Sequence, residues 1–469
     1  MGEQRFGSAI VIGGSMAGLL AARVLADHFE TVTLVERDLH EPQPEFRRGV
    51  PQGRHAHALL LRGLNTVCRL FPDIRQAMID AGATIMNQGR EMRWFHFGVW
   101  KHRYHSRLEG ICSSRPLLEW MICERVRRLS NIVAMHGWSC DGLLHQHGTV
   151  TGVRVRPREG SEVRELAADL IIDASGRGSQ IPKQLRQLGL PAPEETRIEV
   201  DVCYASRIYR APPTPRDWKA LFVIAQPPSK RAALILPIEG DRWLVTEVGM
   251  HGDHPPADER GFLEYARSLP TPDIYEALKH AEPLTPITRF GYAAGQRRHY
   301  ERLRRFPDGL LVLGDAMCSF NPIYGQGMSA ASMYADVLDR CLRQRIAAND
   351  GLRELWRPFF REAGKVADMP WQLSTSEDFR YRETIGPRSL SMRLLHWYTE
   401  RVQIAASGDA VLSERLFEIM HLLKEPASLM TPAVWWRVLA ANFWGKGSAN
   451  SARSPGRTFE PPPQHAHTD

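Results

Sequence analysis

The sequence has little lysine and no dense run of one charge. Of its 469 residues, 60 are Lys or Arg, and only eight of these are Lys. The formal net charge is +7, and no five basic residues are consecutive. Nucleic-acid binding is therefore not expected, because a strong basic stripe is its usual signature. The mild positive charge fits an anionic cofactor instead.

Cysteine is scarce and shows no ligand spacing. There are seven cysteines, and no two are separated as in C-x-x-C. The odd number and the missing spacing argue against a disulfide framework, a zinc knuckle and a redox dithiol. His55 and His57 form a His-x-His pair, but no third or fourth ligand is apparent, so no metal is predicted.

Long apolar runs are also missing. No uninterrupted apolar stretch reaches 18 residues, so no spanning helix is expected. The apolar stretch Ala9–Gly14 is too short for a signal peptide, and we expect a cytoplasmic monomer or homodimer. Residues 446–469 are rich in Ser, Pro, Gly and His, which predicts a disordered tail.

What the chain does contain begins with a βαβ pattern. Ser8–Ile12 and Thr31–Glu36 read as strands, and Met16–His28 between them reads as a helix. The pattern spans about 30 residues and predicts a Rossmann-like unit with a right-handed crossover.

The turn of this unit is Gly13-Gly14-Ser15-Met16-Ala17-Gly18, which matches G-x-G-x-x-G with Ser15 in the middle position. Gly13 permits the tight turn, and Gly18 allows the helix to pack closely on the strand. The helix N-terminus offers free N–H groups to phosphates, and Glu36 is placed to accept ribose hydroxyls. The pattern favours dinucleotide binding over a glycine turn that only packs.

Two further segments place polar groups after apolar strands. Asp173 ends a predicted strand over 169–173 and Gly176 follows it, and Asp315 follows a strand over 310–314. The loop from Asn321 to Met328 then opens a helix near Gln326. The N–H groups near Gly327 and Met328 would stabilise an electron-rich ring that acquires negative charge.

The chain divides into five segments by pattern. The fold class is α/β, with a Rossmann-like dinucleotide-binding domain in two parts, an inserted antiparallel β-sheet domain and a C-terminal helical region. The predicted segments are 1–184 for the first part, 185–290 for the inserted sheet, 291–345 for the second part, 346–445 for the helical region, and 446–469 for the tail.

These three motifs, in this order over residues 8–345, resemble the single-component (group A) flavoprotein monooxygenases, the family of para-hydroxybenzoate hydroxylase. Val50–His57 and Ser114–Glu119 are similar to the branch of bacterial polyether and polyene epoxidases. The resemblance implies FAD, with NADPH or NADH as electron donor and dioxygen as co-substrate. The residues that it implies for FAD are Gly13, Gly14, Ser15, Met16, Ala17, Gly18, Glu36, Arg37, Arg54, Arg115, Asp173, Gly176, Asp315, Pro322, Gly325, Gly327 and Met328.

In that family a flavin 4a-hydroperoxide passes one oxygen to an organic substrate, so no side-chain nucleophile is expected. We expect epoxidation of alkenes in an apolar polyketide or terpenoid natural product, as in secondary metabolism. Aromatic-ring hydroxylation is the near alternative, followed by flavin-dependent alkene reduction and non-catalytic flavin binding. Candidates to assist the reaction are Arg54, His55, Pro322 and Tyr324.

The aromatic stretch Arg93–Trp100 reads as one strand. Alternation places Trp94, His96 and Trp100 on one face, and Phe95, Phe97 and Val99 on the other. The stretch predicts a substrate lining made of Trp94, His96, Phe97 and Trp100, with plain core packing as the alternative. Met430–Trp444 is predicted to be a helix that packs on the protein body or touches a membrane.

Overall fold

The computed structural model describes residues 5–444. The predicted tail over 446–469 lies outside the described residues. Within them, every helix is too short or too polar to cross a bilayer.

The strands of the described chain are β1 Phe6–Ile12, β2 Phe29–Glu36, β3 Thr84–Asn87, β4 Met92–His96, β5 Val99–Trp100, β6 Glu109–Cys112, β7 Ile132–His136, β8 Trp138–Gln146, β9 Thr149–Pro157, β10 Arg164–Ala167, β11 Leu170–Asp173, β12 Glu195–Arg210, β13 Ala220–Val223, β14 Arg231–Ile238, β15 Arg242–Met250, β16 Thr288–Arg298, β17 Leu310–Val312 and β18 Cys318–Ser319. The first layer of the fold is a parallel sheet with the strand order β17-β11-β1-β2-β7. The parallel sheet is the predicted Rossmann-like unit. Its strands β11 and β17 are buried throughout, and β1 is buried from residue 9 to residue 12, because helices cover them.

The helices pack on this sheet and beyond it. They are α1 Met16–His28, α2 Leu61–Leu70, α3 Ile74–Asp80, α4 Arg115–Arg127, α5 Ile181–Gln187, α6 Glu259–Arg267, α7 Asp273–Leu278, α8 Gly327–Ala347, α9 Trp356–Asp378, α10 Met392–Ala405, α11 Ala410–Met420 and α12 Pro432–Leu439. The helix α1 has the predicted bounds, and Leu19, Leu20 and Leu25 of its apolar face are fully buried. The mixed α/β fold class is confirmed.

The second layer is an eight-stranded sheet with the order β18-β16-β12-β15-β14-β13-β4-β5. Its central strands come from the predicted insertion over 185–290. Strands β4 and β5 come from earlier in the chain, and β16 continues past residue 290. The sheet is antiparallel except where β13 pairs with β4. The chain thus crosses between the two layers more often than a single insertion requires.

The prediction of one strand over 93–100 is wrong. Phe97 and Gly98 both have positive φ, at 55° and 72°, so the chain reverses and β4 pairs with β5 as a hairpin. Two consecutive positive φ values are typical of a tight hairpin turn. The reversal places Trp100 against Phe95, with ring centroids 5.2 Å apart, and not beside Trp94.

The face of this sheet that packs on α6 and α7, which we call its outer face, contains a buried carboxylic acid side chain. Glu247 of β15 is fully buried, and neither carboxylate oxygen has a hydrogen-bond partner among the described residues. Burial raises the pKa of Glu247 well above its usual value, and the Arg231 charge opposes this. The Arg231 guanidinium is itself bonded to Asp253, at 2.7 and 2.8 Å.

The C-terminal helices form two groups, one packed on the α/β layers and one packed mainly on itself. Helix α9 packs on α8 and on the segment after β16, where the Tyr300 and Phe360 rings stack 5.1 Å apart. Helices α10 to α12 form a smaller apolar cluster. In it the Trp435 ring stacks on Tyr398 at 4.5 Å, whereas Trp436 is 65% exposed.

Candidate active site

A cavity of about 840 Å³ opens between the two layers. The turn after β1, the end of β2, the end of β11 and the segment after β17 all contribute to its wall. These are carboxyl ends of neighbouring parallel strands, where open α/β sheets bind ligands. The volume lies within the range of small-molecule and cofactor sites.

Most of the residues predicted for FAD line this cavity. They are Gly13, Gly14, Ser15, Met16, Ala17, Glu36, Arg37, Arg115, Asp173, Gly176, Asp315, Pro322, Gly325, Gly327 and Met328. Gly18 and Arg54 do not line it. Gly18 supports the turn from behind, because an added Cβ would lie 1.7 Å from the Gly13 carbonyl oxygen. Arg54 is exposed, with its guanidinium 4.5 Å from the centre of the Phe46 ring.

The glycines of the cavity serve two different needs. Gly13 has a φ of 102°, and an added Cβ would lie 2.5 Å from the Ala174 carbonyl oxygen, so this glycine is required for folding itself. An added Cβ at Gly327 would meet nothing within 4 Å. Gly327 begins α8, so its surroundings leave the N-terminus of a 21-residue helix open to a ligand.

Arg47 contacts three residues at the end of the cavity next to Glu36, which we call the ribose end because Glu36 is the residue predicted to bind ribose hydroxyls. Its guanidinium donates to Glu119 at 2.6 Å and to the Gly14 carbonyl oxygen at 2.7 Å, and lies 3.0 Å from Glu36. Burial lowers the pKa of Arg47, but Glu119, Glu36 and Asp38 more than offset this and raise it. Sequence reasoning missed Arg47, because its partner Glu119 is 72 residues away.

Arg115 is held beside the glycine turn by three partners. It donates to Glu119 at 3.2 Å, to the Ser15 hydroxyl at 3.2 Å and to His57 Nε2 at 2.9 Å. His57 Nδ1 donates to the His55 carbonyl oxygen at 2.8 Å, which leaves Nε2 as an acceptor. Burial, with the Arg115 charge, lowers the pKa of His57 to about 3, so the ring is neutral.

Two aspartates face the cavity with different surroundings. Asp173 accepts bonds from the Ser175 N–H at 3.0 Å and the Ser179 hydroxyl at 2.5 Å, which shape the loop after β11. Asp315 is exposed to the cavity and accepts no hydrogen bond from residues 5–444. Burial raises the pKa of Asp173, and desolvation by the surrounding cavity wall raises the pKa of Asp315, where the Arg115 and Arg177 charges oppose the rise.

The other end of the cavity is aromatic. Phe290 and Tyr292 of β16 and Phe320 line it, together with Arg177. The Arg177 guanidinium lies 4.6 Å from the centre of the Tyr292 ring. Phe290 and Tyr292 place this part of the cavity wall on the large sheet.

The predicted substrate-lining residues lie elsewhere. Trp94 and His96 are buried and stacked 5.9 Å apart, and Trp94 packs against Phe417 of α11. Phe97 lies in the hairpin turn, and Trp100 packs on the outer face with Phe95. None of the four predicted lining residues touches the cavity, so plain packing describes them.

Two predicted assisting residues lie behind the cavity wall. His55 is buried, and its Nδ1 lies 2.7 Å from the Ser206 hydroxyl, while burial lowers its pKa to about 4. The Tyr324 hydroxyl points away to Asp378, which it meets at 3.0 Å. Of the four predicted assisting residues, Pro322 alone lines the cavity.

A cluster that the sequence did not reveal lies next to the ribose end. His40, Cys123 and His136 each place one ligand atom within 4.8 Å of the others. Arg127 donates to His40 Nε2 at 2.5 Å. Burial lowers the pKa of His40 and of His136, and the Arg127 charge lowers both further. This positive charge disfavours a cation, and we assign no metal to the cluster.

The cavity fits FAD. Its ribose end offers the Glu36 carboxylate, its middle offers the N–H groups of α1 and the Arg115 charge, and its far end offers the open N-terminus of α8. Dinucleotide sites bind the pyrophosphate at a helix N-terminus and the ribose through an acidic side chain, and the cavity offers both.

Comparison with known proteins agrees with this fit. Residues 8–344 match a family described as FAD binding domain. The chain is 31% identical to Protein Rv3254 of Mycobacterium tuberculosis, over 93% of this chain and 94% of that protein. It is 28% identical to kynurenine 3-monooxygenase of Salinispora tropica, over 71% and 72% of the two chains.

A more distant relative is squalene epoxidase 1 of Arabidopsis thaliana, which is 22% identical over 73% of this chain and 60% of that protein. The cavity, the matched family and these relatives agree on one class. The chain belongs to the FAD binding domain family and is an FAD-dependent monooxygenase with the group A type of fold.

Proposed function

We propose that this monooxygenase takes electrons from NADPH or NADH and adds one oxygen atom of dioxygen to an alkene of an apolar polyketide or terpenoid-type molecule. The observation that carries the proposal is the two-ended cavity. One end is charged and suits a dinucleotide, and the other is bordered by Phe290, Tyr292 and Phe320. An apolar chain is bound best by a mostly apolar wall with few polar groups.

FAD would supply the redox and oxygen chemistry when bound. Glu36, Asp173 and Asp315 would accept hydrogen bonds from its hydroxyl groups, and Arg115 would neutralise its diphosphate. The N–H groups at Gly327 and Met328 would stabilise negative charge on the ring. The β16 strand would hold the substrate and exclude water from the reacting end.

Hydroxylation of an aromatic acid is the second candidate, and Arg177 favours it. Its guanidinium lines the cavity beside Tyr292, where it would pair with a substrate carboxylate. The similarity to kynurenine 3-monooxygenase points the same way. The epoxidation proposal gives Arg177 no such partner, so one variant separates the two reactions.

The experiment uses purified protein reconstituted with FAD and supplied with NADPH or NADH in air. Two substrate panels are offered, long-chain alkenes and small aromatic acids, and products are analysed by mass spectrometry with ¹⁸O₂. Gain of one labelled oxygen by an alkene supports epoxidation, and gain by an aromatic acid supports hydroxylation. Gain of two hydrogens with no oxygen would refute oxygen transfer and indicate an alkene reductase.

The Arg177→Met variant sharpens the choice. Its aliphatic side chain keeps much of the volume and removes the charge. If alkenes are the substrates, turnover measured with saturating FAD stays close to wild type. A selective loss of turnover with aromatic acids, seen as a raised KM, would transfer the proposal to hydroxylation.

A further inference from the structure

Behind the cavity wall lies a buried carboxyl group that the proposed oxygen chemistry does not use. Asp378 is the last residue of α9, in the chain beyond the matched family region, and is 4% exposed. Its Oδ1 accepts a bond from Asn321 Nδ2 at 2.8 Å and another from the Tyr324 hydroxyl at 3.0 Å. Both donors belong to the turn Asn321–Gly325, whose Pro322 and Gly325 line the cavity.

The turn has few other connections on this side. Asn321 Oδ1 accepts from the Ile323 N–H at 3.2 Å and from the Tyr204 hydroxyl at 3.4 Å. Gly325 has a φ of 65° and leads through Gln326 into α8. A shift of this turn would therefore move the start of α8, the helix end that faces the cavity.

Asp378 holds the turn without a balancing charge. It has no salt bridge among residues 5–444, and it lies at the C-terminal end of a 23-residue helix, where a negative charge is disfavoured. Burial raises the pKa of Asp378 to about 7, which the bonds from Asn321 and Tyr324 oppose and the Glu377 charge assists. The titratable groups that interact with it are Glu377, Tyr204, Tyr292, Tyr324 and Tyr381.

We propose that Asp378 is a positioning residue whose single proton sets how firmly the turn Asn321–Gly325 is held against the flavin end of the cavity. Ionised, it accepts two charge-assisted bonds; protonated, it accepts weaker ones and carries a donor of its own. The inference rests on the proposed FAD site, and it adds a control of that site by proton concentration near neutrality.

The first test needs no cofactor. The chain has seven asparagines, so ¹⁵N-asparagine labelling gives few side-chain amide signals, and that of Asn321 is the one lost in an Asn321→Ser variant. In the wild type this signal should shift with a midpoint near pH 7. In Asp378→Asn, which keeps the shape and removes the proton, it should not shift.

Glu377→Gln is the matched control. It removes the neighbouring acid of the same helix end, which bonds Arg380 and not the turn. The Asn321 titration should persist with a lower midpoint, because a nearby negative charge is gone. An Asn321 signal that is independent of pH in the wild type, or that titrates equally in Asp378→Asn, overturns the inference.

The second test uses the FAD-loaded protein. The flavin absorbance spectrum should change with the same midpoint in the wild type and be constant in Asp378→Asn. A constant wild-type spectrum while Asn321 titrates would overturn the link to the flavin. Protein that does not take up added FAD refutes the proposed function, and the amide titration still decides the role of Asp378.

Discussion

Replacing Asp315 with Ala tests directly whether this cavity holds FAD. The carboxylate is exposed to the cavity and accepts no hydrogen bond from residues 5–444. Desolvation inside the cavity raises the pKa of Asp315, so the FAD-free protein holds this charge at a cost. Folding of the FAD-free protein should therefore be unaffected or slightly stabilised by the change.

Binding of FAD should respond differently. A hydrogen bond to a charged acceptor contributes about 1.5–3 kcal/mol, so loss of the Asp315 carboxylate should weaken FAD binding roughly 10–150-fold. The charges of Arg115 and Arg177 offset part of this loss, because a more positive cavity favours the FAD diphosphate. Asp315→Asn, which makes the same charge change and keeps an acceptor oxygen, should fall between wild type and Ala.

The assay is titration of the FAD-free protein with FAD, followed by quenching of flavin fluorescence. Asp173→Ala is the contrast, because its carboxylate also bonds Ser175 and Ser179. That variant should lose thermal stability together with FAD affinity, whereas Asp315→Ala should lose affinity alone. An Asp315→Ala protein that binds FAD as tightly as wild type would refute the assignment.

Two other variants test the cavity and the sheet. Gly327→Leu places a side chain in open space at the cavity and should give folded, colourless protein. Gly351→Leu is the control, because its surroundings are equally open but it lies away from the cavity, and it should stay yellow. Flavin absorbance after gel filtration measures the retained FAD in both. Glu247→Gln should be more stable than wild type at alkaline pH. The pKa of Glu247 is higher in the folded protein than its usual value of 4.5. Between pH 4.5 and the folded-state pKa, the free energy of unfolding of the wild type should therefore fall by about 1.4 kcal/mol per pH unit. The urea midpoints of Glu247→Gln should not show this fall.

The elements that the sequence predicts well are those with local causes. The bounds of α1 follow from its apolar spacing, and Glu36, Asp173 and Asp315 follow from their positions at strand ends. Contacts between distant segments leave no such local signal. The pairs Arg47–Glu119 and Asn321–Asp378 are separated by 72 and 57 residues, so no local pattern in the sequence identifies these partners.

The hairpin at Phe97 shows a different limit. The stretch Trp94–Trp100 is rich in aromatic residues, which are common in strands, and only Gly98 marks the reversal. Phe97 has a positive φ of 55°, which a bulky residue adopts only where its surroundings require it. Strand β4 also pairs with β13 and packs on α11 through Trp94, and neither contact is visible in eight residues of sequence.

The position of α9 has a consequence for protein engineering. The family match ends at residue 344, yet Trp371 packs against Gly295, Asp368 bonds Arg297 at 2.6 Å, and Asp378 holds the turn at the cavity. A truncation made at the family boundary would strip this bracing from β16 and from the start of α8. Chimeras that exchange cofactor-binding portions between relatives should therefore transfer residues 8–378 as one module, and leave the crossover point beyond α9.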